Sequence, residues 1–105
     1  MERGRELRTN EFDEARYIHD YDDVVAYLNV VLEENDLDAL VDAIGTVARS
    51  EGMTKISERT GLNRESLYRS LREGGNPSFA TVQKVLAACG LRLSIVGDSE
   101  RAALA

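Results

Sequence analysis

Tryptophan is absent from this chain of 105 residues, and cysteine and histidine each occur once. The lone Cys89 excludes an internal disulfide and any multi-cysteine zinc site. Its place in the apolar stretch Val85-Leu86-Ala87-Ala88-Cys89 suits a buried core thiol better than a reactive one. The lone His19 cannot form a His-His metal pair, and no nucleophile accompanies it, so it reads as a surface or capping residue. No apolar run reaches membrane length, and no charged-then-apolar leader precedes Glu11, so the expectation is a cytoplasmic protein without a membrane partner. A Gly-rich phosphate loop and paired carboxylates with a reason for split pKa values are also missing. The sequence therefore points to no enzyme, no catalytic residue, no metal and no cofactor.

What is present suits one small domain, because 105 residues with 43% hydrophobic content leave no room for a second core. The formal net charge of −6 is the wrong sign for approaching phosphates, but it is unevenly spread. Residues 1–48 hold 4 Lys/Arg against 13 Asp/Glu, net −9; residues 49–92 hold 8 against 4, net +4; residues 93–105 hold 1 against 2, net −1. Such a split allows two partners of opposite charge. The plain alternative is that acidic helix faces keep a small protein soluble.

Along the chain, residues 1–11 mix Arg3, Arg5 and Arg8 with Glu2 and Glu6 without an apolar period, and are expected to fray. Phe12 to Ile18 fits a short extended or irregular segment packed on the body. Asp20 can cap a first helix with Asp22 and Asp23 in its first turn and a stripe of Val24, Val25, Leu28, Val31 and Leu32. Asn35 suits a left-handed helix end, and Asp36 can cap a second helix striped by Leu37, Leu40, Val41, Ile44, Val47 and Ala48 and closed by Gly52. Two short helices follow. Pro77 and Ser78 then open a last helix with Phe79, Val82, Val85, Leu86 and Cys89 on its apolar side, ended by Gly90.

From Leu91 to Val96 the pattern alternates, with Leu91, Leu93 and Ile95 on one face, which predicts a strand. A lone strand would leave its backbone unpaired, so it needs a partner: the same strand of a second subunit, or the Phe12 to Ile18 segment. The first is preferred, making Leu91, Leu93 and Ile95 dimerisation residues of a homodimer. The expected fold is all-α, five helices with a short C-terminal β-strand, spanning residues 12–96, with a disordered tail at 97–105.

The most informative stretch is Met53 to Phe79, whose two short helix signals flank the turn Gly61-Leu62-Asn63. A helix-turn-helix DNA reader needs a small residue where its steeply crossed helices touch and a residue tolerant of positive φ in the turn; Ser57 and Gly61 meet both needs. Ile56, Leu62, Leu67 and Leu71 can hold the pair on a core, leaving Arg64, Glu65, Tyr68 and Arg69 on the side that would enter a major groove. Arg64 and Arg69 can each offer two donors to guanine, Glu65 can accept from a cytosine amine, and the Tyr68 ring can lie on a thymine methyl. Thr54, Lys55, Asn63 and Asn76, at helix starts or in loops, would meet phosphates. For Arg64, Arg69 and Arg72 the bland alternative is ordinary pairing with Glu65 and Glu73 at helical spacing.

Taken together, these residues resemble the Xre-type helix-turn-helix antitoxins, in particular the HigA-like addiction module antidote proteins. The resemblance spans roughly Phe12 to Val96. It rests on Asp23-Val24-Val25-Ala26-Tyr27-Leu28, Gly52-Met53-Thr54, Thr60-Gly61-Leu62, Arg64-Glu65-Ser66-Leu67-Tyr68-Arg69, Gly75-Asn76-Pro77 and Leu91-Arg92-Leu93. The chain departs from the broader Xre pattern at Ser70, where that pattern has an apolar residue, and in its strand signal, where that pattern has a fifth helix. The resemblance implies a λ-repressor-like fold, binding to double-stranded operator DNA, and neutralisation of a RelE/HigB-like ribonuclease toxin. The acidic N-terminal half would then meet the basic toxin through Asp22, Asp23, Glu33, Glu34 and Asp38, with Tyr17 and Tyr27 as apolar contacts. A stand-alone phage-type regulator without a toxin, or an adaptor that has lost DNA, are the other readings.

Overall fold

The computed structural model describes residues 20–99, which form five helices: α1 (Tyr21–Glu33), α2 (Leu37–Glu51), α3 (Met53–Thr60), α4 (Arg64–Ser70) and α5 (Phe79–Ala88). The helix boundaries follow local chemistry. Asn35, at φ 57, supplies the left-handed turn between α1 and α2, and the Asp36 carboxylate then accepts from the Ala39 amide at 3.1 Å to cap α2. Asp20 holds the N-cap position of α1, but its side chain makes no capping bond. At Gly52, with φ 108, the chain leaves α2 and enters α3 without an intervening loop.

α2 is the central helix. It packs against α1, α3 and α5, while α3 also packs against α4 and α5. Ile44, Val47 and Ala48 of α2 meet Met53 and Ile56 of α3, Leu67 and Leu71 at α4, and Val85 and Leu86 of α5 in one core. Ala48, Ile56, Leu71 and Val85 are wholly inaccessible to solvent. Such burial gives the two short helices their stability, because helices of this length are marginal in water on propensity alone.

Three apolar residues expected on core faces lie outside. Leu32, Leu37 and Phe79 are exposed, Leu37 by 72%. Each stands at a helix end, Leu32 and Leu37 at the α1–α2 tip and Phe79 at the first residue of α5. Helical period identifies a face but not how far a neighbouring helix reaches along it.

The expected C-terminal strand is also corrected, since no strand occurs among the described residues. Leu91 packs on the core and its amide donates to the Leu86 carbonyl at 2.8 Å, after which Leu93 and Ile95 point to solvent. Alternation gives a segment two faces, but a strand also needs a second backbone beside it, and the described chain supplies none. The Phe12 to Ile18 segment, Tyr17 and His19 lie outside the described residues. Within them, no helix is long and apolar enough to cross a membrane, and no group of His, Cys, Asp and Glu could hold a metal ion.

Candidate nucleic-acid interface

α3 and α4 are joined by a turn in which side chains satisfy the backbone. Gly61 adopts the left-handed conformation, φ 74, and its amide donates to the Ser57 carbonyl at 2.9 Å. The Ser57 hydroxyl donates to the Leu62 carbonyl at 2.6 Å, and the Leu62 amide donates to the Thr60 hydroxyl oxygen at 3.1 Å. Ser57 is therefore more than a small residue at a crossing, because it also fixes the turn. Asn63 caps α4, its side-chain oxygen accepting from the Ser66 amide at 2.9 Å. That oxygen has a structural task, so Asn63 is a weaker phosphate contact than its position suggests.

α4 has two contrasting sides. Leu67, with Leu71 at the helix end, is sealed in the core, whereas Arg64, Glu65, Tyr68 and Arg69 are all exposed, Tyr68 by 47%. The four residues expected to reach base edges thus share one open face. Arg64 is also tied across to α3, donating through Nη1 to the Thr54 hydroxyl at 2.6 Å. This bond links a base-reading candidate to a phosphate-contact candidate and orients the guanidinium, which keeps other donors for a ligand. Arg69 makes a long contact to the Ser66 hydroxyl at 3.4 Å, and Arg72 donates to the Arg69 carbonyl at 3.2 Å. Among the described residues, none of Arg64, Glu65, Arg69 or Arg72 is ion-paired, so the bland Arg-Glu pairing does not occur. Lys55 is exposed on α3, and Asn76 is exposed in the loop that leads to α5.

Arg59 of α3 turns towards the end of α5. Its Nη1 donates to the Ala88 carbonyl at 2.7 Å and lies 3.9 Å from the Glu51 carboxylate, so it caps the end of α5. No spacing rule foretells a bond across 29 residues. Beside it, burial pushes the Cys89 thiol up to about 11, with Glu51 adding to the rise and Arg59 opposing it. Cys89 is half-buried and protonated at neutral pH, in keeping with a packing thiol.

Two glycines hold the open helix in position. A β-carbon on Gly45 in α2 would collide with the Leu71 carbonyl, and one on Gly75 would collide with the Ser70 carbonyl. Gly45 carries no motif or turn signal in the sequence, and only the close approach reveals its role.

The acidic residues expected to meet a toxin lie on α1, on α2 and at the turn between them. Residues 20–48 contain eight Asp/Glu and no Lys or Arg. Asp22 and Asp23 on the first turn of α1, Glu33 and Glu34 at its end, and Asp38 on the first turn of α2 are all exposed. Tyr27 is half-buried against the core, so it is not an open apolar contact; Tyr21, Val30, Leu32 and Leu37 are exposed apolar residues of the same two helices.

Comparison with known proteins adds family information. The profile of a family described as "Probable addiction module antidote protein" matches residues 8–97. An uncharacterised protein of Haemophilus influenzae is 36% identical over 85 residues, covering 81% of this chain and 88% of that protein. No solved structure matches the chain.

Proposed function

The chain belongs to the addiction module antidote family, and from that membership we propose that it is the antitoxin of a type II toxin–antitoxin pair. On this reading it binds and neutralises a RelE/HigB-like ribonuclease toxin and represses its own operon by sequence-specific DNA binding. It works in the cytoplasm as a homodimer and a binding protein, without a reaction of its own. α3 and α4 act as an Xre-type helix-turn-helix, with α4 in the major groove. Arg64, Glu65, Tyr68 and Arg69 meet base edges, while Thr54, Lys55 and Asn76 meet phosphates.

The observation that carries the DNA half is the open face of α4. Its four outward side chains have no ion pair within the described chain, although the helix beneath them is fixed by Leu67, Leu71, Gly45 and the Asn63 cap. A rigid helix that presents unspent donors and acceptors suits direct readout. Two copies are needed, because one short helix touches too few base pairs to select a site in a genome. The acidic residues of α1 and α2 lie on other helices than the reader and complement a toxin that grips RNA through a basic surface.

A mobility-shift titration against the DNA upstream of the gene tests the DNA half. Binding should be specific and weaken steeply as salt rises. Equal affinity for operator and scrambled DNA would remove the repressor role. Co-purification and growth rescue with the product of a neighbouring small basic reading frame test the antidote half. A stand-alone regulator would fail there while still shifting DNA.

A further inference from the structure

Arg49 stands in the last turn of α2, where a cation ordinarily answers the carbonyls at the end of its own helix. Its side chain runs the other way. Nη2 donates to the Thr46 hydroxyl oxygen at 3.2 Å, one turn back, and that hydroxyl donates to the Asp42 carbonyl at 3.1 Å. Thr46 is 1% exposed, so a buried hydroxyl with both of its roles fixed aims the half-buried guanidinium. Nη1 lies 3.2 Å from the point that a β-carbon on Gly45 would occupy, and the Leu71 carbonyl crowds the same point. Arg49 and the carbonyl at the end of α4 therefore meet over Gly45. Among the described residues, no carboxylate pairs with Arg49.

The partner at this meeting point is a helix that needs support. α4 has seven residues, too few to be stable in water on propensity alone. Its C-cap residue, Leu71, is wholly inaccessible to solvent, so water does not reach the carbonyl at the negative end of the helix. A cation beside that end is stabilising, and more so where it is partly buried. We propose that Arg49 is a positioning residue for the reader: its charge, aimed by Thr46, holds the C-terminal end of α4. The exposed row of Arg64, Glu65, Tyr68 and Arg69 is thereby presented at a fixed angle. The proposal rests on α4 as the DNA-reading helix and adds a residue of α2, outside that row, on which sequence discrimination depends. An ordinary end charge of α2 would instead act on the α2–α3 junction, where the Gly52 amide donates to the Ala48 carbonyl at 3.0 Å.

Two substitutions test it. Arg49→Met keeps the apolar stem and removes the charge, whereas Thr46→Val keeps the buried volume and removes the hydroxyl that aims it. Hydrogen exchange of the free, full-length protein reads the helix end directly. The Leu67 and Leu71 amides, which donate to the Asn63 and Leu67 carbonyls, should exchange about tenfold faster in Arg49→Met and change in the same direction in Thr46→Val. The amides of α5 and of Gly52 should keep their rates. Operator affinity should fall about tenfold in Arg49→Met, while affinity for scrambled DNA and the salt slope stay as in wild type, because a shifted reader loses base contacts and no phosphate contact. Unchanged exchange in α4, equal acceleration in α4 and α5, or acceleration confined to Gly52 would overturn the proposal. So would a salt slope lower by about one, which marks a direct phosphate contact. If Arg49→Met does not fold, Thr46→Val decides by the same measurements. A wild type that binds operator and scrambled DNA alike would remove the DNA reading itself, and the exchange rates would still decide whether Arg49 holds α4.

Discussion

A β-carbon on Gly45 would run into the carbonyl oxygen of Leu71, so the middle of α2 lies backbone to backbone against the end of α4. Such an approach is open only to a residue without a side chain. The helix bearing Arg64, Glu65, Tyr68 and Arg69 is therefore positioned partly by a glycine in another helix.

Gly45→Ala tests that contact. In an open helix this change would stabilise by ~0.5–1 kcal/mol, whereas here the added carbon must push α4 outward, and overpacking of this kind costs ~1–3 kcal/mol. Urea unfolding should move to lower denaturant, and operator affinity should fall with it. A more stable variant would show that the two backbones are not in contact.

The Arg64–Thr54 bond predicts coupled losses in operator binding. Arg64→Ala should cost ~1–3 kcal/mol if it reads a guanine. Thr54→Val should cost less by freeing the guanidinium, and should add little in the double variant, because both changes remove one arrangement. Lys55→Ala should instead weaken all DNA sequences alike and reduce the salt slope by about one. Additive effects of Thr54 and Arg64 would separate their roles.

Neutralising Asp22, Asp23, Glu33, Glu34 and Asp38 together to Asn or Gln should slow toxin association several-fold at low ionic strength and leave operator affinity of the free protein nearly unchanged. Leu37→Ser should instead speed dissociation, since an apolar anchor acts after encounter. Stopped-flow mixing at two salt concentrations distinguishes them. A salt-insensitive, unchanged association rate would exclude this surface as the steering element.

Cys89 predicts a pH effect. Its folded pKa of about 11 lies above the ordinary value of 9.0, so the folded state keeps a proton that the unfolded state releases. Stability from this group is full below about pH 9 and is lost as pH rises towards 11. A Cys89→Ala variant should lose less stability than wild type across that window, read as the difference between their melting curves. Identical slopes would mean that the thiol is less buried than its surroundings indicate.

Most of the helical plan was legible in the sequence because it depends on neighbours along the chain. Asn35 and Asp36 mark the α1–α2 turn, Gly61 and Asn63 the α3–α4 turn, and Ser78 the start of α5, each through a conformation or capping bond made within a few residues. Leu67 and Leu71, four apart, give the buried side of α4, and Arg64, Glu65, Tyr68 and Arg69 follow as its open side. The alternation after Gly90 was equally visible, yet it predicted a strand that the described chain does not form. Pattern assigns faces, whereas a ladder requires a second backbone.

What only the tertiary structure decided involves residues far apart in the chain or the reach of one helix over another. The Arg59 bond to Ala88 joins residues 29 apart, and the close approach of Gly45 to Leu71 had no local signature. Leu32, Leu37 and Phe79 came out exposed at helix ends, which period along the chain does not distinguish from helix middles. Propensity, capping and period act through adjacent residues and are written in order along the chain. Burial and long-range hydrogen bonds depend on where separate helices meet, which is settled only when the core of α2, α3 and α5 closes.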